Sequence, residues 1–139
     1  MPTINSREIE VFKPYDSEYP EALLFAQGCD EATVDAFRDE EIVRVAKRGE
    51  EVLGLYVMRS KDNQGQRPEI YELLCVIVEP AVRKQGLGRW LIGHAIGVAE
   101  SKGGRHMRIE QPGTSRCFQG VGFVRTGNGR ALQFDMIQE

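Results

Sequence analysis

The segment that constrains the fold most runs from Val76 to Gly88. Its first residues, Val76-Ile77-Val78, are β-branched and apolar and predict a buried strand, which Pro80 ends. A basic loop with two glycines follows, and the long apolar stretch after it predicts a helix. Glycine lets a backbone approach a ligand closely, and the amides at a helix N-terminus attract anions. The segment therefore predicts a phosphate-binding turn, whose residues are Arg83, Lys84, Gln85, Gly86, Leu87, Gly88 and Arg89.

Two common phosphate-binding motifs do not fit the spacing of this turn. A nucleotide-triphosphatase loop needs Lys and then Ser or Thr directly after its last glycine, whereas Arg89 and Trp90 follow Gly88. A dinucleotide fingerprint needs a third Gly or Ala where Leu91 stands, and it belongs after the first strand of a repeating strand-helix unit. Both classes of nucleotide-binding protein are therefore disfavoured.

The pattern that remains, Arg-x-x-Gly-x-Gly after a Val-x-Val strand, resembles motif A of the GNAT superfamily of acyl-CoA N-acyltransferases. Motif A is matched here by Val76, Val78, Arg83, Gly86 and Gly88. Motif B of the family resembles the downstream segment Phe118-Gln119-Gly120-Val121-Gly122-Phe123. Two motifs in order, separated by a helix and a strand, are more specific than a lone Gly-x-Gly. They extend the resemblance over nearly the whole chain.

The resemblance implies both a fold and a co-substrate. The fold is α+β, with a mixed, mostly antiparallel central sheet that is flanked by helices and whose two central parallel strands splay apart. Acetyl-CoA is expected in that opening, with its pantetheine arm paired to the backbone of Val76, Ile77 and Val78. A backbone amide near Val76 or Ile77 is the expected oxyanion donor. The same residues also fit an ordinary core strand, and both descriptions hold if their side chains point inward.

Glu72 is the candidate general base for an amine that attacks the thioester. It precedes Arg83 by eleven residues, where the best-known histone-modifying members of the family also place a catalytic Glu. A partly desolvated carboxylate there can accept a proton directly or through water. A surface carboxylate on an alternating strand fits the same pattern. The alternatives for the base are Glu69, Glu110 and Tyr71.

The chain departs from the family pattern in motif B. Phe118 occupies the position where many members carry a Tyr that protonates the departing thiolate. General-acid help is worth about 10²- to 10⁴-fold, but a thiol pKa of about 8.5 makes the thiolate a tolerable leaving group near neutrality. Phe118 is therefore expected to form a wall against the pantetheine arm. Gln111 replaces an Asn that is common in motif B of the family. Cys117 could donate a proton or carry an acyl group, but the simpler interpretation is a small buried side chain.

Composition fits one globular domain over residues 1–139. A chain of 139 residues with 41% hydrophobic content can build a core. The N-terminal segment Met1-Pro2-Thr3-Ile4-Asn5 lacks the pattern of a secretion signal, and no run of about 18 apolar residues occurs, so a cytoplasmic protein is expected. Cys29, Cys75 and Cys117 are widely spaced and predict reduced thiols, and no structural metal is expected.

Charge divides the chain into two parts. Residues 1–79 carry 17 acidic and 9 basic side chains, a net −8, while residues 80–139 carry 4 and 9, a net +5. The positive part contains the predicted turn, where its basic side chains favour an anionic coenzyme. The negative part suggests a cationic amine acceptor as a hypothesis. Acidic clusters such as Asp39-Glu40-Glu41 are also typical of solvated turns, which is the alternative.

Local patterns predict the elements of the first half. A strand over Glu8 to Lys13 precedes a helix that Ser17 caps and Gly28 ends, and Asp30 caps a second helix. Later elements are a hairpin from Ile42 to Arg59 that turns at Arg48-Gly49-Glu50, a loop from Ser60 to Pro68, and a strand from Glu69 to Glu79. The loops Ala26 to Glu41 and Ser60 to Pro68 are expected to form the acceptor pocket.

The second half starts with a long helix that ends at Gly103-Gly104. One face carries Leu87, Trp90, Leu91, His94, Ala95 and Val98. Gly93 and Gly97 suggest close packing of the helix backbone against the sheet, because glycine is unfavourable inside a helix. The remaining predicted elements are a strand from His106 to Glu110, a short helix capped by Thr114 or Ser115, and a hairpin from Phe123 to Ile137 through Gly127-Asn128-Gly129.

The sequence thus predicts a small cytoplasmic N-acyltransferase. It would transfer an acetyl group from acetyl-CoA to a primary amine by direct attack in a ternary complex, without metal, nucleic acid or membrane. The acceptor, the acyl-chain preference and the oligomeric state, with a homodimer among the options, stay open. The alternative from another class is a module that binds acyl-CoA and regulates a partner without catalysis.

Overall fold

A computed structural model describes residues 6–61, 64–65, 68–83, 85–109, 123–126 and 131–136. In chain order the elements are β1 (Glu10–Phe12), α1 (Glu21–Ala26), α2 (Glu31–Arg38), β2 (Ile42–Arg48), β3 (Glu51–Ser60), β4 (Ile70–Val78), α3 (Leu87–Ser101), β5 (His106–Ile109), β6 (Val124–Thr126) and β7 (Ala131–Asp135). Single turns of 3₁₀ helix occur at Ser6–Glu8, Asp16–Glu18 and Pro80–Val82.

In the described part of the chain, seven strands form one sheet in the order β1-β2-β3-β4-β5-β7-β6. Strands β4 and β5 are parallel, and the other neighbouring pairs are antiparallel. The predicted mixed, mostly antiparallel sheet flanked by helices is therefore confirmed.

The two parallel strands separate soon after they meet. Their register covers Ile70 to Glu72 against His106 to Arg108. Beyond Glu72, the described residues of β4 are paired with β3 alone. The sheet therefore opens between β4 and β5 into a V, with Glu72 at its vertex and the end of β4 at its mouth, as the resemblance implied.

Strand β4 also contains a bulge close to the vertex. Val57 of β3 is opposite Cys75, but the next residue, Met58, is opposite Leu73, so Leu74 is the extra residue. A bulge changes the side to which the following residues point. Tyr71 and Leu73 pack towards α3 before the bulge, and Val76 and Val78 do so after it.

A hydrophobic core lies on each face of the sheet. On one face, α3 packs against β3 and β4 through Leu87, Leu91, Ile92, Ala95 and Ala99. On the other face, α1 and α2 contribute Leu24 and Val34 to a smaller core with Val43, Val45, Leu55 and Val57 of β2 and β3. Six successive residues of β3, from Leu53 to Met58 with Gly54 among them, are buried, because its side chains contribute to both cores.

Capping explains where α2 begins, whereas the predicted start of α1 is wrong. The Asp30 carboxylate accepts from the Thr33 amide at 2.8 Å, and Gly28 ends α1 with φ of 91°, both as predicted. Ser17, however, lies inside the 3₁₀ turn, and α1 starts at Glu21 after Pro20. Pro20 explains this shift, because its fixed φ and missing N–H suit the start of a helix and not its interior.

The predicted packing of the α3 glycines against the sheet is wrong. Gly93 and Gly97 are exposed, and a Cβ at either position would meet nothing within 4 Å. Close approaches occur instead at Gly54 and Gly104, where a Cβ would lie 2.5 Å from the Ile77 carbonyl oxygen and 2.8 Å from Tyr71, respectively. The two glycines within α3 therefore do not mark a close contact between the helix and the sheet.

Several predicted features lie outside the described residues. They are Lys84, Glu110, Gln111, the helix capped by Thr114 or Ser115, Cys117, Phe118 and the turn Gly127-Asn128-Gly129. The strands expected on either side of that turn are present as β6 and β7, which pair antiparallel. Among the helices that the structure describes, none has the length and apolar character needed to cross a bilayer.

Candidate active site

The predicted phosphate-binding turn connects the mouth of the V to α3. After β4 ends, the Glu79 carboxylate accepts from the Ala81 amide at 2.8 Å and stabilises the turn Pro80–Val82. Arg83 then holds this turn from two sides. Its Nε donates to the Val78 carbonyl at 3.0 Å, and its terminal nitrogen donates to the Gln27 side chain beyond α1. In this structure the Arg83 guanidinium therefore positions the turn, beside its predicted role in cofactor binding.

Helix α3 begins with the geometry that an anion site requires. Gly86 is its N-cap in a left-handed conformation, with φ of 86°, and its carbonyl accepts from the Trp90 amide at 3.0 Å. The next residue, Leu87, is buried in the core and anchors the first turn. Since an α-helix leaves its first amides without intrahelical partners, the backbone N–H groups of residues 87–89 converge at this end.

The side chains of the turn have different surroundings. Leu87 is buried, Gln85 and Gly88 are half-buried, and Arg83, Gly86 and Arg89 are exposed. Leu87 can therefore serve a bound anion only through its backbone, whereas Arg89 can place its charge at the surface of the turn. Lys84 lies outside the described residues.

The backbone of β4 offers alternate groups to the opening. The Glu79 amide donates to the Leu53 carbonyl of β3 at 2.8 Å, and the Ile77 carbonyl also faces β3 at Gly54. Because the polar groups of successive residues in a strand point to opposite edges, those of Val76 and Val78 point towards the V. Of the two expected oxyanion donors, this direction favours Val76 over Ile77.

Glu72 lies at the vertex in a row of polar side chains. The cross-strand register places Arg59, Glu72, Arg108 and Gln133 next to one another on four strands, and we call these four residues the polar row. The row is on the face opposite α3, because its neighbours Tyr71, Leu73 and Met107 are buried on the α3 side. It therefore lies beside the opening on the α1 and α2 face.

Two cations neutralise the Glu72 carboxylate. The Arg59 Nε lies 3.2 Å from one carboxylate oxygen and the Lys61 Nζ lies 3.9 Å from the other. The Glu72 side chain is 13% exposed, whereas those of Arg59 and Lys61 are 49% and 45% exposed. The carboxylate is thus mostly shielded from water, and the cations beside it can be approached from solvent.

The alternatives to Glu72 are less well placed. Glu69 is exposed, and its carbonyl accepts from the amides of Arg105 and His106. Tyr71 is buried on the α3 face, where its ring lies against Gly104. Glu110 lies outside the described residues. Among the candidates that the structure describes, Glu72 alone combines burial with a position at the vertex.

Sequence reasoning missed a partly buried polar pair between β3 and α3. The Tyr56 hydroxyl and His94 Nδ1 are 2.8 Å apart, and Tyr56 is opposite Val76 in the sheet. Burial raises the pKa of Tyr56, whereas burial and the Arg44 charge lower the pKa of His94. A neutral imidazole that accepts from the hydroxyl fits both shifts. The helical pattern showed only that His94 shares a face with apolar residues, and Tyr56 had no distinguishing signal.

The described cysteines are unsuited to nucleophilic chemistry. Cys29 and Cys75 are free thiols, as expected. Burial raises the pKa of Cys75 to about 12, with a smaller contribution from Cys29, and burial also raises the pKa of Cys29. Because the thiolate is the reactive form, both residues act as small apolar side chains near neutrality.

A cavity of about 80 Å³ lies between the segment after β1 and α2. Tyr19, Arg38, Glu40 and Val43 are among its lining residues. This volume corresponds to only about two or three water molecules, so it cannot hold a pantetheine arm. In the described part of the chain, no group of three or more His, Cys, Asp or Glu side chains is arranged to hold a metal ion.

Solved structures with the same fold include proteins crystallised with the expected coenzyme. A GNAT family acetyltransferase from Elizabethkingia anophelis with acetyl-CoA bound aligns with a TM-score of 0.77 and 20% identity, over 93% of this chain and 99% of that one. An acetyltransferase from Bacillus subtilis in complex with CoA aligns with a TM-score of 0.71 and 22% identity, over 94% and 99%. An IAA acetyltransferase from Bacillus cereus gives 0.75 and 20%, over 92% and 99%.

Sequence comparison identifies the family. No curated protein sequence matches the chain significantly. The model of the acetyltransferase (GNAT) family, in contrast, matches residues 4–123, which include the turn, the polar row up to Arg108 and both motifs. Because this match covers most of the chain, the protein belongs to the GNAT acetyltransferase family.

Proposed function

We propose that this protein transfers an acetyl group from acetyl-CoA to a primary amine, by direct attack of the amine on the thioester in a ternary complex. The observation that carries the proposal is the V between β4 and β5, which leads from the N-terminus of α3 to the shielded carboxylate of Glu72. An anion site and a proton acceptor thus lie at the two ends of one opening.

The N-terminal end of α3 is proposed to bind the pyrophosphate of acetyl-CoA. The amides of residues 87–89 supply hydrogen bonds, and Lys84 and Arg89 add positive charge. Arg83 and Gln85 shape the turn, and the absence of a side chain at Gly86 and Gly88 permits close approach. The relatives with acetyl-CoA or CoA bound support this assignment through their shared fold.

The pantetheine arm is proposed to lie along β4. The outward-facing backbone groups of Val76 and the Val78 amide can pair with its amides as a further strand would, while the Val78 carbonyl accepts from Arg83. Ile77 contributes by holding β4 against β3, and Phe118 is expected to form a wall of the cleft. This placement brings the thioester towards the vertex, where the opening narrows.

At the vertex, Glu72 is proposed to accept the proton that the amine loses as it attacks. The Val76 amide then stabilises the oxyanion of the tetrahedral intermediate, because a fixed dipole needs no reorganisation as charge develops. Collapse of the intermediate breaks the carbon–sulfur bond, and coenzyme A leaves as a thiolate or, after protonation by solvent, as a thiol.

Two measurements test this function. Calorimetry should detect acetyl-CoA binding, and release of free thiol should require both acetyl-CoA and an amine. Glu72→Gln should lower turnover by about 10²- to 10⁴-fold with little change in acetyl-CoA affinity. Glu100→Gln, a substitution at an exposed position near the end of α3, is the matched control and should be neutral. Binding without thiol release for any amine would instead favour a regulatory acyl-CoA-binding module.

A further inference from the structure

We infer that the amine acceptor carries a carboxylate next to its amino group, as a free α-amino acid does. The inference rests on the proposed function and identifies the substrate class of the same site. It follows from the charged side chains that surround Glu72 at the vertex. These include cations, although the N-terminal half of the chain is negative overall.

Several charged side chains surround Glu72 at the vertex. Glu72 contacts Arg59 and Lys61, and the register places Arg108 beside it on β5. Two further carboxylates complete the group: Glu40 contacts the far side of Arg59 at 3.2 Å, and Glu41 accepts from the Ser60 amide at 2.6 Å. Among the residues that the structure describes, these three cations and three carboxylates balance and their charges are separated, an arrangement that is complementary to a zwitterion.

The Arg59 guanidinium retains hydrogen-bonding capacity. A guanidinium has five N–H donors, and within the described residues Arg59 uses one towards Glu72 and one towards Glu40. Three donors remain on a side chain that is 49% exposed. A planar fork of this kind is suited to a carboxylate, and Lys61 adds a second positive charge on the same side of Glu72.

The cations beside Glu72 also affect which amine can deliver its proton to this carboxylate. An acceptor with additional positive charge would be repelled by Arg59 and Lys61, which flank the proposed base. An acceptor with an adjacent carboxylate can instead bind Arg59 while its amine faces Glu72. Glu40 and Glu41, which belong to the acidic half of the chain, already pair with Arg59 and Ser60, and attraction by the more distant carboxylates is screened beyond about 10 Å at 0.1 M salt. The local charges therefore decide between the two acceptors, against the sequence-based hypothesis of a cationic acceptor.

The test compares matched acceptors at saturating acetyl-CoA. One series is phenylalanine, phenylalaninamide and phenethylamine, and a second is leucine, leucinamide and isoamylamine, with thiol release as the readout. We expect kcat/KM to be about 10- to 100-fold higher for the amino acid than for the two analogues that lack the carboxylate, as for loss of one charged hydrogen bond. Arg59→Gln should remove this preference mainly through KM, with acetyl-CoA affinity unchanged.

Controls separate the possible failures. Arg48→Gln removes an arginine that pairs with Glu51 in the β2–β3 turn, away from the vertex, and should keep the preference. Lys61→Gln should also weaken the preference for the amino acid. It provides the test if Arg59→Gln does not fold. Equal or better turnover of the decarboxylated amines would overturn this inference alone. Absence of turnover with every amine, despite acetyl-CoA binding, would overturn the proposed function as well.

Discussion

Gly54→Ala is the substitution whose effect the structure defines most sharply. Gly54 lies on β3 opposite Val78, and an added Cβ would lie 2.5 Å from the Ile77 carbonyl oxygen and 3.2 Å from Leu91 Cδ1. Real Cβ atoms essentially never approach other atoms closer than 3.0 Å, so β3 and β4 must separate by at least about 0.5 Å. The nearest atom belongs to the backbone, so a change of rotamer cannot relieve the contact.

The expected cost follows from this overlap. Overpacking of a well-filled core costs about 1–3 kcal/mol, which for a chain of this length lowers the midpoint of thermal unfolding by about 3–12 °C. Gly97→Ala is the matched control, because a Cβ there meets nothing within 4 Å and alanine favours a helix interior by about 1 kcal/mol. The two variants should therefore differ by about 2–4 kcal/mol, with opposite signs relative to the wild type.

Urea denaturation and thermal melts of the three proteins measure this difference. Acetyl-CoA affinity should also fall in Gly54→Ala, since the displaced part of β4 carries the backbone groups of Val76 and Val78 that face the V. If Gly54→Ala unfolds within about 0.5 kcal/mol of the wild type while Gly97→Ala is stabilised, the argument from close packing between β3 and β4 is refuted.

Three further outcomes are expected. Gly86→Ala and Gly49→Ala both force alanine into a left-handed conformation (φ of 86° and 62°), which should lower the free energy of unfolding by about 1–2 kcal/mol each. Only Gly86→Ala should weaken acetyl-CoA binding in calorimetry. Equal affinities of the two variants would refute the α3 anion site. Tyr56→Phe should lower the free energy of unfolding in urea by about 1–3 kcal/mol, because His94 loses its partner, and an unchanged value would contradict that role. The pKa of His94 is lowered in the folded state, so below about pH 6.5 the unfolded chain binds more protons than the folded chain. The contribution of neutral His94 to stability is therefore complete above that pH and is lost as the solution is acidified. Urea curves at pH 7.5 and 5.5 should show a smaller loss in His94→Gln than in the wild type, and equal losses would count against this titration.

Signals that act over a few neighbouring residues were sufficient for much of the fold. Asp30 starts α2, Gly28 ends α1, and the Gly49 turn joins β2 to β3 as the sequence predicts. The pattern from β4 through Gly86 into α3 also predicted the strand, the turn and the helix N-terminus at which we propose that the anion binds. Such signals are readable because backbone conformation and capping depend on local sterics and hydrogen bonds.

The tertiary structure alone decided which side chains meet. Arg59, Glu72 and Arg108 become neighbours through the register of three strands, and Tyr56 reaches His94 across 38 positions of sequence. The same long-range packing places Gly54 where a Cβ would clash and leaves Gly93 and Gly97 exposed, although all three are glycines within regular elements. Register and layer packing depend on distant partners, so the sequence determined where the cleft begins, and only the folded sheet determined the charges at its vertex.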